Sequence, residues 1–197
     1  MSLDIKCYPR GLYEENTYLI TDDATGFKAI IDPGVFDTDI RFDIQNNAYL
    51  KYVLLTHGHH DHFLAAQQYR DEYTGATFAY PAGDMEIMDN YGTPYPKPSM
   101  LLNEGDVITL GETELKVIAT PGHTGGGICF LTDNEIFTGD TLFRLSVGRT
   151  DLPTGSWDTL VKSISEKLYT LDEDLTVYPG HGGPTTIGFE KKANPFV

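Results

Sequence analysis

Thr56-His57-Gly58-His59-His60-Asp61-His62 decides how this chain reads. Four histidines and one aspartate fall within six residues. The stretch follows Tyr52-Val53-Leu54-Leu55, a short apolar run that reads as a buried strand. It precedes Phe63 to Tyr73, where Phe63, Ala66, Gln67 and Arg70 recur at helical spacing. The cluster therefore sits where a strand gives way to a helix, and in α/β architectures ligands bind at the carboxyl ends of strands. On an extended segment alternate side chains point the same way, so His57 and His59 can face one point. Asp61 and His62 lie past the bend and can face a second point nearby. Imidazole and carboxylate together suit zinc, and also iron or manganese.

The two remaining histidines stand in Gly-rich turns, Thr120-Pro121-Gly122-His123-Thr124-Gly125-Gly126 and Tyr178-Pro179-Gly180-His181-Gly182-Gly183-Pro184. Between them lies Ile136-Phe137-Thr138-Gly139-Asp140-Thr141. Each turn follows a strand-like run: Leu115 to Ala119, Glu135 to Thr138, and Thr176 to Tyr178. Alone, His123 or His181 would read as a turn histidine. With the first cluster and Asp140, they supply one ligand at the end of each of several strands, which is what a metal site at the rim of a sheet requires.

The 197 residues are enough for one domain with a substantial core, taken here as residues 1–197. A net charge of −15 disfavours nucleic acid and anionic membranes as partners, since both need clustered Lys and Arg. Neither a bilayer-spanning apolar run nor a signal-peptide pattern is visible, which points to a cytoplasmic protein. Cys7 and Cys129 both fall in strand-like runs and read as small apolar core residues.

Strands are expected over residues 4–8, 17–21, 27–31, 77–80, 106–110, 114–119, 127–131, 135–138 and 175–178. Helices are expected over 35–46, 63–73, 82–88 and 157–169, the last capped by Ser156. Asp89 to Pro98, rich in proline and tyrosine, reads as a surface crossover. Strands followed by helices, twice over, suggest two packed sheets with helices outside.

The pattern His-x-His-x-Asp-His, a lone His, an Asp after Thr-Gly and a final Gly-His resembles the metallo-β-lactamase superfamily. Within it the chain looks most like glyoxalase II-type hydrolases, the hydroxyacylglutathione hydrolases. The resemblance runs from Asn16-Thr17-Tyr18 through Ile31-Asp32-Pro33-Gly34 to Pro195, and the ending at Val197 looks like the short bacterial members. It implies an α+β fold, the four-layer αβ/βα sandwich. It implies that His57, His59 and His123 hold one metal, that Asp61, His62 and His181 hold a second, and that Asp140 bridges them. Asp32 would be a buried carboxylate beneath the site. Arg149, in Gly148-Arg149-Thr150-Asp151, would contact a carboxylate of the thiol; pairing with Asp151 is the other reading.

The activity implied is thioester hydrolysis on a small-molecule acyl-thiol such as S-lactoylglutathione, by a hydroxide shared between two divalent cations. Asp61 and Asp140 are the carboxylates at the reacting centre. Zinc is expected, with iron or manganese possible. A monomer or small homo-oligomer is expected. The alternative is a mononuclear iron persulfide dioxygenase, with ligands matching His57, His123 and Asp140. A secreted β-lactamase fits less well, because the common secreted group carries a cysteine where Asp140 stands.

Overall fold

The computed structural model describes residues 3–44 and 49–197. The N-terminal half forms strands β1 (Leu3–Arg10), β2 (Glu15–Asp22) and β3 (Lys28–Ile31), helix α1 (Thr38–Ile44) and strand β4 (Leu50–Leu54). Helices α2 (His60–Phe63) and α3 (Ala66–Glu72), strand β5 (Thr77–Pro81), helix α4 (Met85–Asn90) and strand β6 (Met100–Leu102) complete it. The second half supplies β7 (Val107–Leu110), β8 (Thr113–Ala119), β9 (Ile128–Leu131) and β10 (Glu135–Gly139). A small hairpin, β11 (Leu142–Phe143) and β12 (Ser146–Val147), precedes α5 (Trp157–Glu166), β13 (Thr176–Pro179), β14 (Thr185–Thr186) and α6 (Ile187–Ala193).

Two six-stranded sheets result, in the orders β1-β2-β3-β4-β5-β6 and β14-β13-β10-β9-β8-β7. The period-two alternation of β2 to β4 sends side chains into two different cores. Leu19, Ile30 and Val53 pack under the helices of the first half, against Phe63, Tyr69 and Phe78. Tyr18, Ile20, Ile31 and Leu54 point the other way, into a core shared with Leu115, Val117, Phe130 and Phe137 of the second sheet. Ile118, Cys129, Ile136 and Val177, on the far face of that sheet, pack under α5 and α6 with Leu160, Ile164 and Ile187. Three cores between four layers make the αβ/βα sandwich that the sequence implied.

Four expectations need correction. The helix expected over 63–73 is broken. The Ala65 amide, whose helical acceptor would be the Asp61 carbonyl, donates to Pro33 O at 2.9 Å instead. The chain therefore restarts its turn at Ala66, and the first turn, His60–Phe63, is free to aim Asp61 and His62 independently. The helix expected from Val35 begins at Thr38, and its expected end at Asn46 lies outside the described residues. The helix from Trp157 keeps its Ser156 cap on the Thr159 amide but ends at Glu166, followed by a 3-10 turn over Leu168–Thr170. Cys7 is exposed, because β1 is an edge strand that buries only Tyr8; Cys129 is buried as expected.

Candidate metal centre

The site lies at the carboxyl ends of β4, β8, β10 and β13. β10 and β13 run parallel, with Gly139 opposite Pro179, so Asp140 and His181 emerge from neighbouring strands. β8 and β10 are each antiparallel to β9, so His123 leaves the same rim. Asn16 at the start of β2 clamps the His181 turn to the first sheet. Its amide donates to Gly180 O at 2.8 Å, and its side chain donates to the carbonyls of Pro179 and Gly182 at 2.9 and 2.8 Å.

Asp32 sits beneath the first cluster, with 1 % of its surface exposed and φ at 54°. The left-handed backbone of a non-glycine residue there costs on the order of 1–2 kcal/mol. It is offset by three charge-assisted hydrogen bonds: Thr56 N–H at 2.8 Å, Thr56 O–H at 2.7 Å and the His62 ring at 2.9 Å. The proton that His62 Nδ1 gives to Asp32 leaves its Nε2 lone pair facing inward. Backbone carbonyls hold two more rings the same way: His123 Nδ1 donates to Arg149 O at 2.7 Å, and His181 Nδ1 to Tyr13 O at 3.1 Å.

Two groups of three donors form, each with its ligand atoms within 4.8 Å of one another: His57, His59, His123 and Asp61, His62, His181. Asp140 lies between them. Its Oδ1 is 3.5 Å from His62 Nε2, and its Oδ2 is 3.4 Å from His123 Nε2 and 3.6 Å from His181 Nε2. A third grouping, Asp32, His57 and His62, also meets the distance criterion. Its aspartate already accepts three hydrogen bonds from Thr56 and His62, so it serves as a support. Buried His57 Nε2, His62 Nε2 and Asp140 Oδ1 have no hydrogen-bond partner. Buried polar atoms are almost always satisfied. All three belong to the donor groups, and divalent cations there would satisfy them.

The electrostatics agree with that division. Burial, with the neighbouring rings, holds His57 well below the ordinary imidazole value. Burial and His123 lower His59 to about 4. Both are therefore neutral at pH 7, the form that ligates. For His62 burial also opposes the charge, but the Asp140 and Asp32 carboxylates prevail and raise it. His181 is likewise raised, Asp61 outweighing burial. Burial would raise Asp61, yet the hydrogen bond with His181 and the charge of His62 hold it well below the carboxylate range.

All seven candidate ligands thus come together, and the expected place of Asp32 is met. Arg149 reaches the cleft wall but forks onto Asp151, with Nε–Oδ1 at 2.7 Å and Nη2–Oδ2 at 2.6 Å. One residue escaped the sequence reading. Asp84, fully buried, accepts from the Gly58 amide at 2.9 Å, the Thr124 hydroxyl at 2.7 Å and the Gly126 amide at 2.7 Å. It ties the loop carrying His57 and His59 to the loop carrying His123. The backbones meet closely there: a Cβ on Gly83 would lie 2.7 Å from Gly126 Cα. Gly-rich spacing around His123 was visible; its partner 42 residues earlier was not.

Beside the donors opens a cleft of 620 Å³, within the range of small-molecule sites. Among the described residues no helix is long and apolar enough to cross a membrane.

Comparison with known proteins agrees with this geometry. The profile of the Metallo-beta-lactamase superfamily matches residues 10–181. The hydroxyacylglutathione hydrolase GloC of Haemophilus influenzae is 35% identical, over 99% of this chain and 98% of its own. The crystal structure of ETHE1 from Myxococcus xanthus superposes with a TM-score of 0.83 at 32% identity, covering 98% of this chain and 83% of that one. That of the BLEG-1 B3 metallo-beta-lactamase gives 0.84 at 30%, covering 98% and 99%. With the four-layer fold, the paired donor groups and a profile spanning both sheets, the chain belongs to the metallo-β-lactamase superfamily, with a fold of the glyoxalase II type.

Proposed function

We propose that the chain is a binuclear metal-dependent hydrolase cleaving a small acyl-thiol, with zinc, iron or manganese as the cations. The observation that most supports this is the presence of two complete donor groups joined through Asp140. His57, His59, His123 and Asp140 would hold one divalent cation and Asp61, His62, His181 and Asp140 a second, which would supply Lewis acidity and a water of pKa lowered towards ~7.

The chain's own residues fix the geometry. Seven donors exceed what one tetrahedral ion takes, and the carboxylate of Asp140 reaches both groups, Oδ2 lying near His123 and His181 and Oδ1 near His62. Asp32, Arg149 O and Tyr13 O hold three imidazoles in the tautomer that offers Nε2 to the site. Arg149 forms part of the wall where the thiol portion of a substrate would lie. A thiolate, of ordinary pKa about 8.5, leaves readily near neutral pH, so a side-chain acid beside it is unnecessary. All six histidines are engaged: five among the donor groups, and His60 with Thr93 at 2.8 Å. No histidine remains to activate a serine nucleophile. The 35% identity to GloC supports the thioester class.

A mononuclear iron persulfide dioxygenase is the second reading, favoured by Asp140 Oδ2 lying 3.4 Å from His123 beside the orphaned His57 Nε2. The deciding assay follows thioester absorbance with S-lactoylglutathione and with a neutral thioester. Chelator-sensitive loss of either absorbance is the expected result. Oxygen uptake on glutathione persulfide with no thioester cleavage would overturn the hydrolase.

A further inference from the structure

Beyond the candidate ligands, the cleft is walled by Tyr13, Tyr91, Phe143, Val147 and Leu152, with His60 and Arg149. Tyr13 is 67% exposed and Tyr91 45%, so large ring surfaces at the mouth stand open. Such amphipathic rings are good contact area for a ligand. The nitrogen-bearing side chains of the wall outside the donor groups are engaged with the protein itself. His60 Nε2 bonds Thr93 Oγ1 at 2.8 Å. Arg149 is the one Lys or Arg side chain lining the cleft among the described residues, and its Nε and Nη2 are both on Asp151.

We propose that this cleft selects its acyl-thiol by an uncharged, apolar body and not by carboxylates on the thiol. The inference rests on the acyl-thiol reading above. A substrate carboxylate can take the Nη1–Nη2 edge of Arg149, where it adds an exposed pair beside the like charge of Asp151, or it can displace Asp151 from the Nε–Nη2 edge. Displacement exchanges one exposed ion pair for another, and exposed pairs contribute little in either direction. The displaced Asp151 then remains as a like charge beside the newcomer. Over longer range, the chain's net charge of −15 stays strongly negative even with two divalent cations held, and opposes the approach of anions. Apolar burial meets no such opposition: each methylene moved fully out of water tightens binding about fourfold.

The test uses the full chain, as purified with its metals, and non-hydrolysable thioethers read by calorimetry. S-hexylglutathione carries two carboxylates and an ammonium; its N-acetyl dimethyl ester keeps the skeleton and removes the charges. The capped form is expected to bind at least as tightly as the charged one. Lengthening S-methyl to S-hexyl on the capped skeleton should tighten binding by ~30-fold if the added methylenes are half buried. A charged form that outbinds its capped twin, or a chain length without effect, overturns the proposal. Asp151→Asn frees the guanidinium and should move the ratio towards the charged form; a ratio unmoved by it overturns the masking of Arg149. Thioether binding needs no bond cleavage, so the two readings fail separately. The expected ranking without hydrolysis of any thioester removes the hydrolase and keeps the selectivity. Hydrolysis with the reverse ranking does the opposite.

Discussion

Replacing Asp84 by alanine tests whether the two halves of the site are held in register from behind. The carboxylate is fully buried and accepts three hydrogen bonds, two from the His57–His59 side and the His123 loop at Oδ2 and one from Gly126 at Oδ1. Truncation leaves the Gly58 and Gly126 amides without an acceptor, at ~1–3 kcal/mol each, while the Thr124 hydroxyl can rotate to another partner. The expected loss is therefore about 2–6 kcal/mol, a large part of the ~5–15 kcal/mol that keeps a domain folded.

A second effect is specific to the site. His57, His59 and His123 sit on the two loops that Asp84 joins, whereas Asp61, His62 and His181 are held by Asp32 and the Asn16 clamp. Metal affinity should fall at the first group and persist at the second. Each tenfold loss of affinity appears as a further ~1.4 kcal/mol of destabilisation in metal-saturated protein relative to chelated protein. Urea unfolding of both forms, with calorimetric metal titration, measures this. Gly126→Ala, which would bring a Cβ to 2.5 Å from the Asp84 amide nitrogen, should force the two loops apart and weaken the same metal step. Equal weakening of both metal steps, or a stability loss with both steps unchanged, would refute the positioning role.

Three further outcomes follow from the same geometry. Asp140→Ala should lower metal stoichiometry and turnover together, since both donor groups lose their shared carboxylate. Metal loading near neutral pH should release protons, because neighbouring carboxylates raise His62 and His181 above the ordinary imidazole value and both must be neutral to ligate. Calorimetry in two buffers of different ionisation enthalpy counts them, and no release would contradict the assignment. Asp22 joins the β2–β3 hairpin to Thr113 of the second sheet at 2.8 Å. Burial would raise its pKa, but hydrogen bonds from Thr25 and Thr113 hold it below the ordinary value. Its contribution is thus present above pH ~4 and fades as pH falls through the lower folded value. Asp22→Asn should flatten the acid limb of a stability–pH curve below pH ~4 while lowering stability at pH 7.

The donors were legible because local spacing fixes them. His57 and His59 alternate on an extended segment, and Asp61 and His62 follow on the first turn of a helix. Asp-Pro-Gly placed Asp32 at a strand end, and only the family resemblance implied that it lies buried beneath the site. The break at Ala65 was not, because its cause is a hydrogen bond to Pro33, a residue on another loop. Asp84 was hidden for a similar reason. In Gly83-Asp84-Met85-Glu86 an acid looks like helix surface, and only the close approach of Gly126 reveals that it is enclosed. Cys7 misled because alternation gives the direction of a side chain but not whether an edge strand is covered. The hairpin β11–β12, two residues a side, is too short for any periodicity, though its Phe143 and Val147 shape the cleft. Arg149 left two readings open in the sequence; its fork onto Asp151 is visible only in three dimensions.

Elemental analysis of the purified chain tests most directly whether two cations share Asp140. Two metals per chain, falling to one or fewer in Asp140→Ala, is the predicted result. A single metal per chain with full thioester turnover would contradict the binuclear centre.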